Sequence, residues 1–90
     1  MAYRIKITPA AARQFRKLPS DQKERIRTRI DRLGDETRPN GREKIAGADS
    51  LWRVRVGDSR IVYEIRDDVL VVVVVLIGNR RDVYDAHRNL

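Results

Sequence analysis

Residues 51–84, LWRVRVGDSRIVYEIRDDVLVVVVVLIGNRRDVY, predict three consecutive strands followed by a basic segment that contains a tyrosine. Side chains of a strand alternate between its two faces. Arg53 and Arg55 therefore share one face of the first of these strands, while Trp52 lies on the other. A face with two arginines and a face with a tryptophan indicate a sheet with one polar and one buried side.

The dipeptide Gly57-Asp58 has the composition of a two-residue hairpin turn. With this turn, Arg55 lies directly opposite Arg60 on the next strand, and Arg53 lies on the same face. Like charges placed directly opposite each other destabilise a sheet. We therefore expect these three arginines to form an unpaired, mutually repulsive cluster that binds a polyanion.

On the other face, the same turn places Trp52 opposite Tyr63, which is a suitable pair for a buried core. Asp67-Asp68 supplies the next turn. The continuous β-branched run from Val69 to Ile77 then predicts a strand buried on both faces, at the centre of the sheet.

The preceding half of the chain predicts one strand and two helices. Residues 3–8 alternate between apolar and basic, and Thr8 followed by Pro9 is typical of a helix start. Pro19 separates this helix from a second one, which ends near Gly34. Apolar side chains at helical spacing mark the buried stripes: Ala11, Phe15 and Leu18 on the first helix, and Ile26, Ile30 and Leu33 on the second.

Length and element order together indicate a small α+β domain. Ninety residues leave room for one hydrophobic core, so we expect a single domain over residues 1–90. The order is β-α-α-β-β-β, with a mostly antiparallel sheet, a helical hairpin on one face and a short C-terminal tail.

The charge balance indicates an acidic partner. Twenty lysines and arginines stand against thirteen acidic residues, for a net charge of +7, and most of the cations are arginines, whose planar fork suits phosphate. The chain has no cysteine, no signal-peptide pattern and no apolar run long enough to span a bilayer. We expect a cytoplasmic protein that does not bind membranes.

The residue types disfavour metal-dependent and serine or cysteine chemistry. The chain has one histidine and no cluster of carboxylates or histidines at ligand spacing. No glycine-rich phosphate loop is present. We therefore expect no cofactor and no metal, and a site that works through cations alone.

Three segments resemble the RelE/ParE superfamily of bacterial and archaeal toxins, on the RelE side: residues 44–47 (KIAG), residues 51–65 (LWRVRVGDSRIVYEI) and residues 78–84 (GNRRDVY). The resemblance implies a microbial RNase-like fold and a type II toxin. It further implies a ribosome-dependent, metal-independent endoribonuclease, or mRNA interferase. Such a toxin inhibits translation by cutting mRNA in the A site, with the RNA 2′-hydroxyl as nucleophile.

The resemblance also assigns site residues. The catalytic positions of the family correspond here to Arg53, Arg55, Arg60, Arg80 and Tyr84, and the RNA-binding positions to Lys44, Asn79 and Arg81. The best-known members have lysines at the first two positions, and many relatives have histidine in place of Asn79. Arginine does not lose its proton in proteins and asparagine is neither acid nor base, so the proton acceptor is left open.

The implied partners are a cognate antitoxin, the ribosome and mRNA, with operator DNA contacted only through the antitoxin complex. Two alternatives stay open from the sequence. One is a ParE-like inhibitor of DNA gyrase, which shares the superfamily fold but does not cleave RNA. The other is a catalytically weak member that only binds RNA.

Overall fold

A computed structural model of the chain describes residues 3–39, 41–45 and 50–79, which form five strands and two helices. In chain order the elements are β1 (Arg4–Ile7), α1 (Pro9–Arg16), α2 (Ser20–Asp35), β2 (Glu43–Lys44), β3 (Leu51–Val56), β4 (Ser59–Arg66) and β5 (Val71–Asn79). The strands form one sheet in the order β1-β5-β4-β3-β2. Only β1 and β5 pair in parallel; the other neighbours are antiparallel. The predicted α+β class is confirmed, with the two-residue strand β2 as an addition.

The two helices begin and pack as their sequences predict. Thr8 caps α1, because its Oγ1 accepts a hydrogen bond from the amide of Ala11 at 3.1 Å, and Pro9 follows in the first turn. The predicted stripes face the sheet. Buried on them are Ala11 of α1 and Ile26, Ile30 and Leu33 of α2, with Phe15 and Leu18 packed alongside.

The hairpin of β3 and β4 has the predicted register, with Trp52 opposite Tyr63. Both side chains belong to the main core, on the face of the sheet that the helices cover. The Tyr63 ring is fully buried, while Trp52 is only partly buried because it lies near the edge of the sheet. We call this the inner face, and the opposite one the outer face.

The predicted start and position of the last strand were wrong. Val69 and Leu70 belong to the turn that follows Asp67, and both are exposed. Leu70 has a φ of 55°, a left-handed conformation that extended strand residues do not adopt. The strand therefore begins at Val71. It lies between β1 and β4, so the middle strand of the five is β4.

A bulge in β5 changes which side chains of this strand pack on the inner face of the sheet and which pack on the outer face. Val74 pairs with Tyr63 but Leu76 pairs with Val62, so Val75 is the extra residue. Before the bulge Val74 points into the main core, whereas Leu76 joins the small apolar cluster on the outer face. Thr8 holds this point, since its Oγ1 donates to the carbonyl of Val75 at 2.9 Å.

Gly34 allows the end of α2 to approach the start of the chain. The Tyr3 amide donates to the Gly34 carbonyl at 2.6 Å, and a Cβ at Gly34 would lie 2.9 Å from the Tyr3 carbonyl oxygen. We expect Gly34→Ala to destabilise the protein by about 1–2 kcal/mol, because overpacking outweighs the gain in helix propensity. Urea unfolding measures the difference, with Thr28→Ala on the same helix as the control. A Gly34→Ala protein as stable as the parent would contradict the close approach.

An exposed polar cluster ties the turn after β4 to two other parts of the chain. The Asp67 carboxylate accepts a hydrogen bond from the Tyr3 hydroxyl at 2.5 Å and forms an ion pair with Arg38 at 2.8 Å. The Arg38 guanidinium and the Tyr3 hydroxyl hold the pKa of Asp67 below its usual range. A carboxyl group with a lowered pKa in the folded state stabilises the protein above its ordinary pKa, and this contribution is lost as the pH falls through the lowered value.

The substitution Asp67→Asn should therefore make the free energy of unfolding less dependent on pH in the acidic range. In urea unfolding at pH 7 and pH 3, we expect the parent to lose more stability between the two conditions than Asp67→Asn does. Asp68→Asn is the matched control, since it removes the neighbouring carboxylate of the same turn and leaves the Tyr3 and Arg38 contacts in place. An identical pH response in the parent and Asp67→Asn would mean that the ion pair makes no contribution.

No helix within the described ranges is both long enough and apolar enough to cross a membrane.

Candidate functional site

The outer face of the β3–β4 hairpin presents the three arginines predicted from the sequence. Arg55 pairs directly with Arg60, as the Gly57-Asp58 turn requires, and Arg53 lies two residues earlier on the same face. Gly57 has a φ of 60°, which a glycine adopts without strain. The turn thus fixes the register, and the register places two like charges opposite each other.

The expectation that all three arginines are unpaired was wrong. A nitrogen of the Arg53 guanidinium lies 2.7 Å from a carboxylate oxygen of Glu43. The two residues are cross-strand partners, because β2 pairs with β3 at this position. Arg60 also has an interaction partner. A strand of two residues gives no periodicity, so sequence reasoning could not identify Glu43 as a neighbour of the site.

Arg55 occupies the open edge of the sheet. The strand β2 pairs only with Trp52 and Arg53, so within the described residues the second half of β3 has a neighbouring strand, β4, on one side and none on the other. The Arg55 Nε donates to the carbonyl of Gly57 at 3.2 Å. No carboxylate of the described residues lies within ion-pair distance of its exposed guanidinium, which leaves it available to an anion.

An apolar cluster lies beside the arginines on the outer face. Its buried members are Ile45, Val62 and Leu76, with Leu51 and Val75 packed against them. Val62 is the β4 partner of Arg53. On β5 the residue opposite Arg60 is Gly78, which has no side chain to fill the space. The outer face therefore combines a cationic row with a small apolar cluster whose partly exposed members are Leu51 and Val75.

The other predicted site residues do not all join this cluster. Lys44 is exposed on β2 and pairs with Trp52, so its side chain starts on the inner face, away from the three arginines. Asn79 ends β5, where its backbone pairs with Ser59 at the same end of the sheet as the Arg55–Arg60 pair. Arg80, Arg81 and Tyr84 lie outside the described residues.

Further arginines lie near Trp52 and Tyr63 on the inner face. The Arg42 guanidinium lies over the Trp52 ring, 5.3 Å from its centroid. Burial raises the pKa of the Tyr63 hydroxyl, and the charges of Arg42, Arg29 and Arg38 oppose that shift. These arginines come from α2 and from the loop that follows it, and all three act on the Tyr63 hydroxyl. Arg42 carries no motif that would have singled it out from the sequence.

Chemically, the outer face is suited to stabilising negative charge. Arginine supplies permanent cations with fixed donors, and such groups are effective where charge develops on phosphoryl oxygens. Among the described residues, no three of His, Cys, Asp or Glu lie together in a group that could hold a metal ion. Of the described outer-face residues, the three arginines are therefore the groups best suited to act on a phosphate.

Two comparisons with known proteins find toxins of toxin-antitoxin systems. Residues 5–84 match the family model described as the ParE toxin of the type II toxin-antitoxin system, parDE. A search of curated proteins found no match.

Solved structures of RelE toxins resemble the chain over nearly its whole length. RelE in the archaeal RelE–RelB complex from Pyrococcus horikoshii OT3 is 27% identical, with a TM-score of 0.78, covering 89% of this chain and 97% of that one. A double arginine-to-alanine variant of E. coli toxin RelE in the free state is 25% identical, with a TM-score of 0.79 and full coverage of both chains. A chain of the intact E. coli RelBE complex is 24% identical, with a TM-score of 0.77, covering 87% and 96%, and supports the fold alone.

Proposed function

The chain belongs to the ParE toxin family of type II toxin–antitoxin systems, within the RelE/ParE superfamily, and we propose that it acts as a RelE-like mRNA interferase. In this proposal it enters the ribosomal A site and cleaves the mRNA codon there. The reaction requires no metal or cofactor. The result is inhibition of translation and of growth.

The observation that carries the proposal is the Arg55–Arg60 pair with Arg53 on the same outer face. Cross-strand repulsion of this kind costs stability, and a solvated sheet face has no need of it. A phosphodiester bound across the pair offsets the repulsion and receives hydrogen bonds from fixed guanidinium groups. Likeness to RelE toxins over nearly the whole chain adds support.

The proposed reaction is a transesterification within the RNA. The 2′-hydroxyl oxygen attacks the adjacent phosphorus, and the bond from phosphorus to the 5′-oxygen of the next nucleotide breaks. The products are a 2′,3′-cyclic phosphate and a 5′-hydroxyl. Arg53, Arg55 and Arg60 stabilise the additional negative charge that the phosphoryl oxygens carry in the transition state.

Two proton transfers accompany the reaction: the 2′-hydroxyl loses a proton and the 5′-oxygen gains one. The three arginines cannot accept a proton, because the guanidinium group stays charged in proteins. We assign Arg80 and Tyr84 to catalysis, with Tyr84 or a ribosomal group as the acceptor of the 2′-hydroxyl proton, and Arg81, Asn79 and Lys44 to RNA binding. These roles follow from the superfamily pattern in residues 78–84 and 44–47.

The proposed protein partner is a cognate antitoxin. Solved relatives include complexes of RelE with RelB from P. horikoshii and E. coli. In our proposal the antitoxin neutralises the toxin by covering the outer face or displacing the C-terminal segment. Contact with operator DNA occurs only through the antitoxin complex, and the site of action is the cytoplasm.

Inhibition of DNA gyrase is the second candidate, because the matching family model is that of ParE. The two functions share a fold, so the fold does not separate them. A supercoiling assay with purified gyrase does. If gyrase is insensitive to a folded, antitoxin-free sample, this candidate is eliminated.

The test of the main proposal is cleavage of mRNA on programmed ribosomes with an empty A site, mapped by primer extension. We expect a cut within the A-site codon that depends on the ribosome. Free mRNA incubated with the same protein is the control and should stay intact. Intact mRNA on ribosomes, with protein shown to be folded by circular dichroism, would overturn the nuclease proposal.

A further inference from the structure

A second cationic surface lies next to the outer face, on the other side of the sheet edge that β3 forms. The open half of β3 and the helix α2 enclose a groove of about 560 Å³. Arg25, Arg29 and Arg32 line it from α2, and Arg55 lines it from β3. The spacing of four and three residues places the three helical arginines on one side of α2. We call this the α2–β3 groove.

Among the residues that the structure describes, the arginines of this groove have no counterion. Within the described ranges, no carboxylate lies within 4.0 Å of any of the four guanidinium groups, although Asp21 and Glu24 also line the groove. The Nε of Arg29 is buried and has no hydrogen-bond partner in the part of the chain that the structure describes. A buried donor without a partner costs free energy. The groove therefore carries four guanidinium groups that ion pairs among the described residues do not neutralise, and such a surface attracts an anion.

The groove is continuous with the outer-face site. Arg55 lines the groove and is also the cross-strand partner of Arg60. Arg25 extends the groove toward the hairpin turn, since its Nη1 would lie 3.2 Å from a Cβ placed on Gly57. One anionic chain could pass from the outer face around the open edge of β3 and into the groove without leaving contact with arginine.

We propose that the α2–β3 groove binds the phosphodiester backbone of single-stranded RNA that continues from the outer-face site. Guanidinium forks bind phosphate oxygens in pairs, and helical arginines in a row suit a repeating anion. Arg42 over Trp52 supplies an aromatic and cationic surface at the neighbouring edge, the combination that single-strand binders use. Recognition would be of the backbone, without sequence preference. This inference rests on the proposed function for the identity of the strand as RNA.

The test measures RNA binding without cleavage. A fully 2′-O-methylated single-stranded RNA has no 2′-hydroxyl nucleophile, so its affinity is obtained by fluorescence anisotropy over a range of salt concentrations. For Arg25→Gln/Arg29→Gln/Arg32→Gln we expect a salt slope smaller by about 2, at ~0.7 per phosphate contact, and affinity at low salt reduced at least about tenfold.

Arg4→Gln/Arg13→Gln/Arg16→Gln is the matched control. It also removes three positive charges, but from exposed positions on β1 and α1, outside the groove. We expect its salt slope to change by less than about 1, because only the long-range attraction falls. Equal effects of the two triple variants would overturn the groove proposal in favour of a general charge effect.

Two further measurements separate the alternatives. If the groove variant keeps its affinity for RNA but loses binding of a poly-glutamate peptide, the groove takes an acidic polypeptide and the RNA proposal fails. The ribosome assay is independent of anisotropy. If the protein does not cleave mRNA on the ribosome but still binds the methylated RNA through the groove arginines, the proposed nuclease function is refuted. The proposal that the groove binds RNA is then retained.

Discussion

Replacing Arg53, Arg55 and Arg60 together with glutamine should lower the rate of A-site cleavage by at least about 10³-fold, since removing one donor to a developing oxyanion already costs about 10²–10³. The effects will not add, because the three side chains act on the same phosphate. Growth inhibition on expression should disappear with cleavage. Primer extension on programmed ribosomes gives the rate, and colony counts after induction give the toxicity.

The fold should survive this triple substitution. Arg53 loses an ion pair with Glu43 in which the two side chains are 37% and 59% exposed, and an exposed pair is worth about 0–1 kcal/mol. Arg60 also loses an interaction, and these losses are offset in part because the repulsion between Arg55 and Arg60 disappears. We expect the urea midpoint to change little, as measured by the fluorescence of Trp52, the one tryptophan of the chain.

The control for this experiment is again the triple glutamine variant at Arg4, Arg13 and Arg16. It carries the same change in net charge and should keep most of the cleavage activity, because its positions are exposed on β1 and α1. A folded outer-face variant that still cleaves within about tenfold of the parent would rule out these arginines as the source of transition-state stabilisation.

The sequence predicts the fold well where local chemistry determines it. The Gly57-Asp58 turn sets the register of a whole hairpin, because the turn length leaves one pairing that buries Trp52 and Tyr63 together. Prediction from the sequence fails where a contact between distant residues determines the pairing of a strand. The bulge at Val75 is held by Thr8, which lies more than sixty residues earlier in the chain. A run of five valines gives no sign of where the pairing slips.

The candidate site shows the same division. Arg55 and Arg60 could be placed opposite each other from spacing alone, because one turn connects their strands. The Glu43–Arg53 pair could not, since it depends on a strand of two residues beyond a loop. The α2–β3 groove was missed for a related reason. Helical spacing places Arg25, Arg29 and Arg32 on one side of α2, but it does not show that Arg55 lies at the same edge.

Truncating the central side chain of the core should have the largest effect on stability. Tyr63 is fully buried, in the middle strand of the sheet, opposite Trp52 and Val74. We expect Tyr63→Ala to lower the free energy of unfolding by about 4 kcal/mol, as for other large aromatic residues cut back to alanine. That is a large fraction of the ~5–15 kcal/mol by which a small domain is stable.

Tyr63→Phe separates the ring from its hydroxyl. The hydroxyl donates to the Thr37 carbonyl at 3.1 Å, and its loss should cost about 1 kcal/mol. Urea unfolding measures both variants. Because Tyr63 lies on the inner face, we also expect Tyr63→Phe to keep its cleavage activity. A Phe variant as unstable as the Ala variant would assign the stability to the hydroxyl, and a stable, inactive one would move the active site to the inner face.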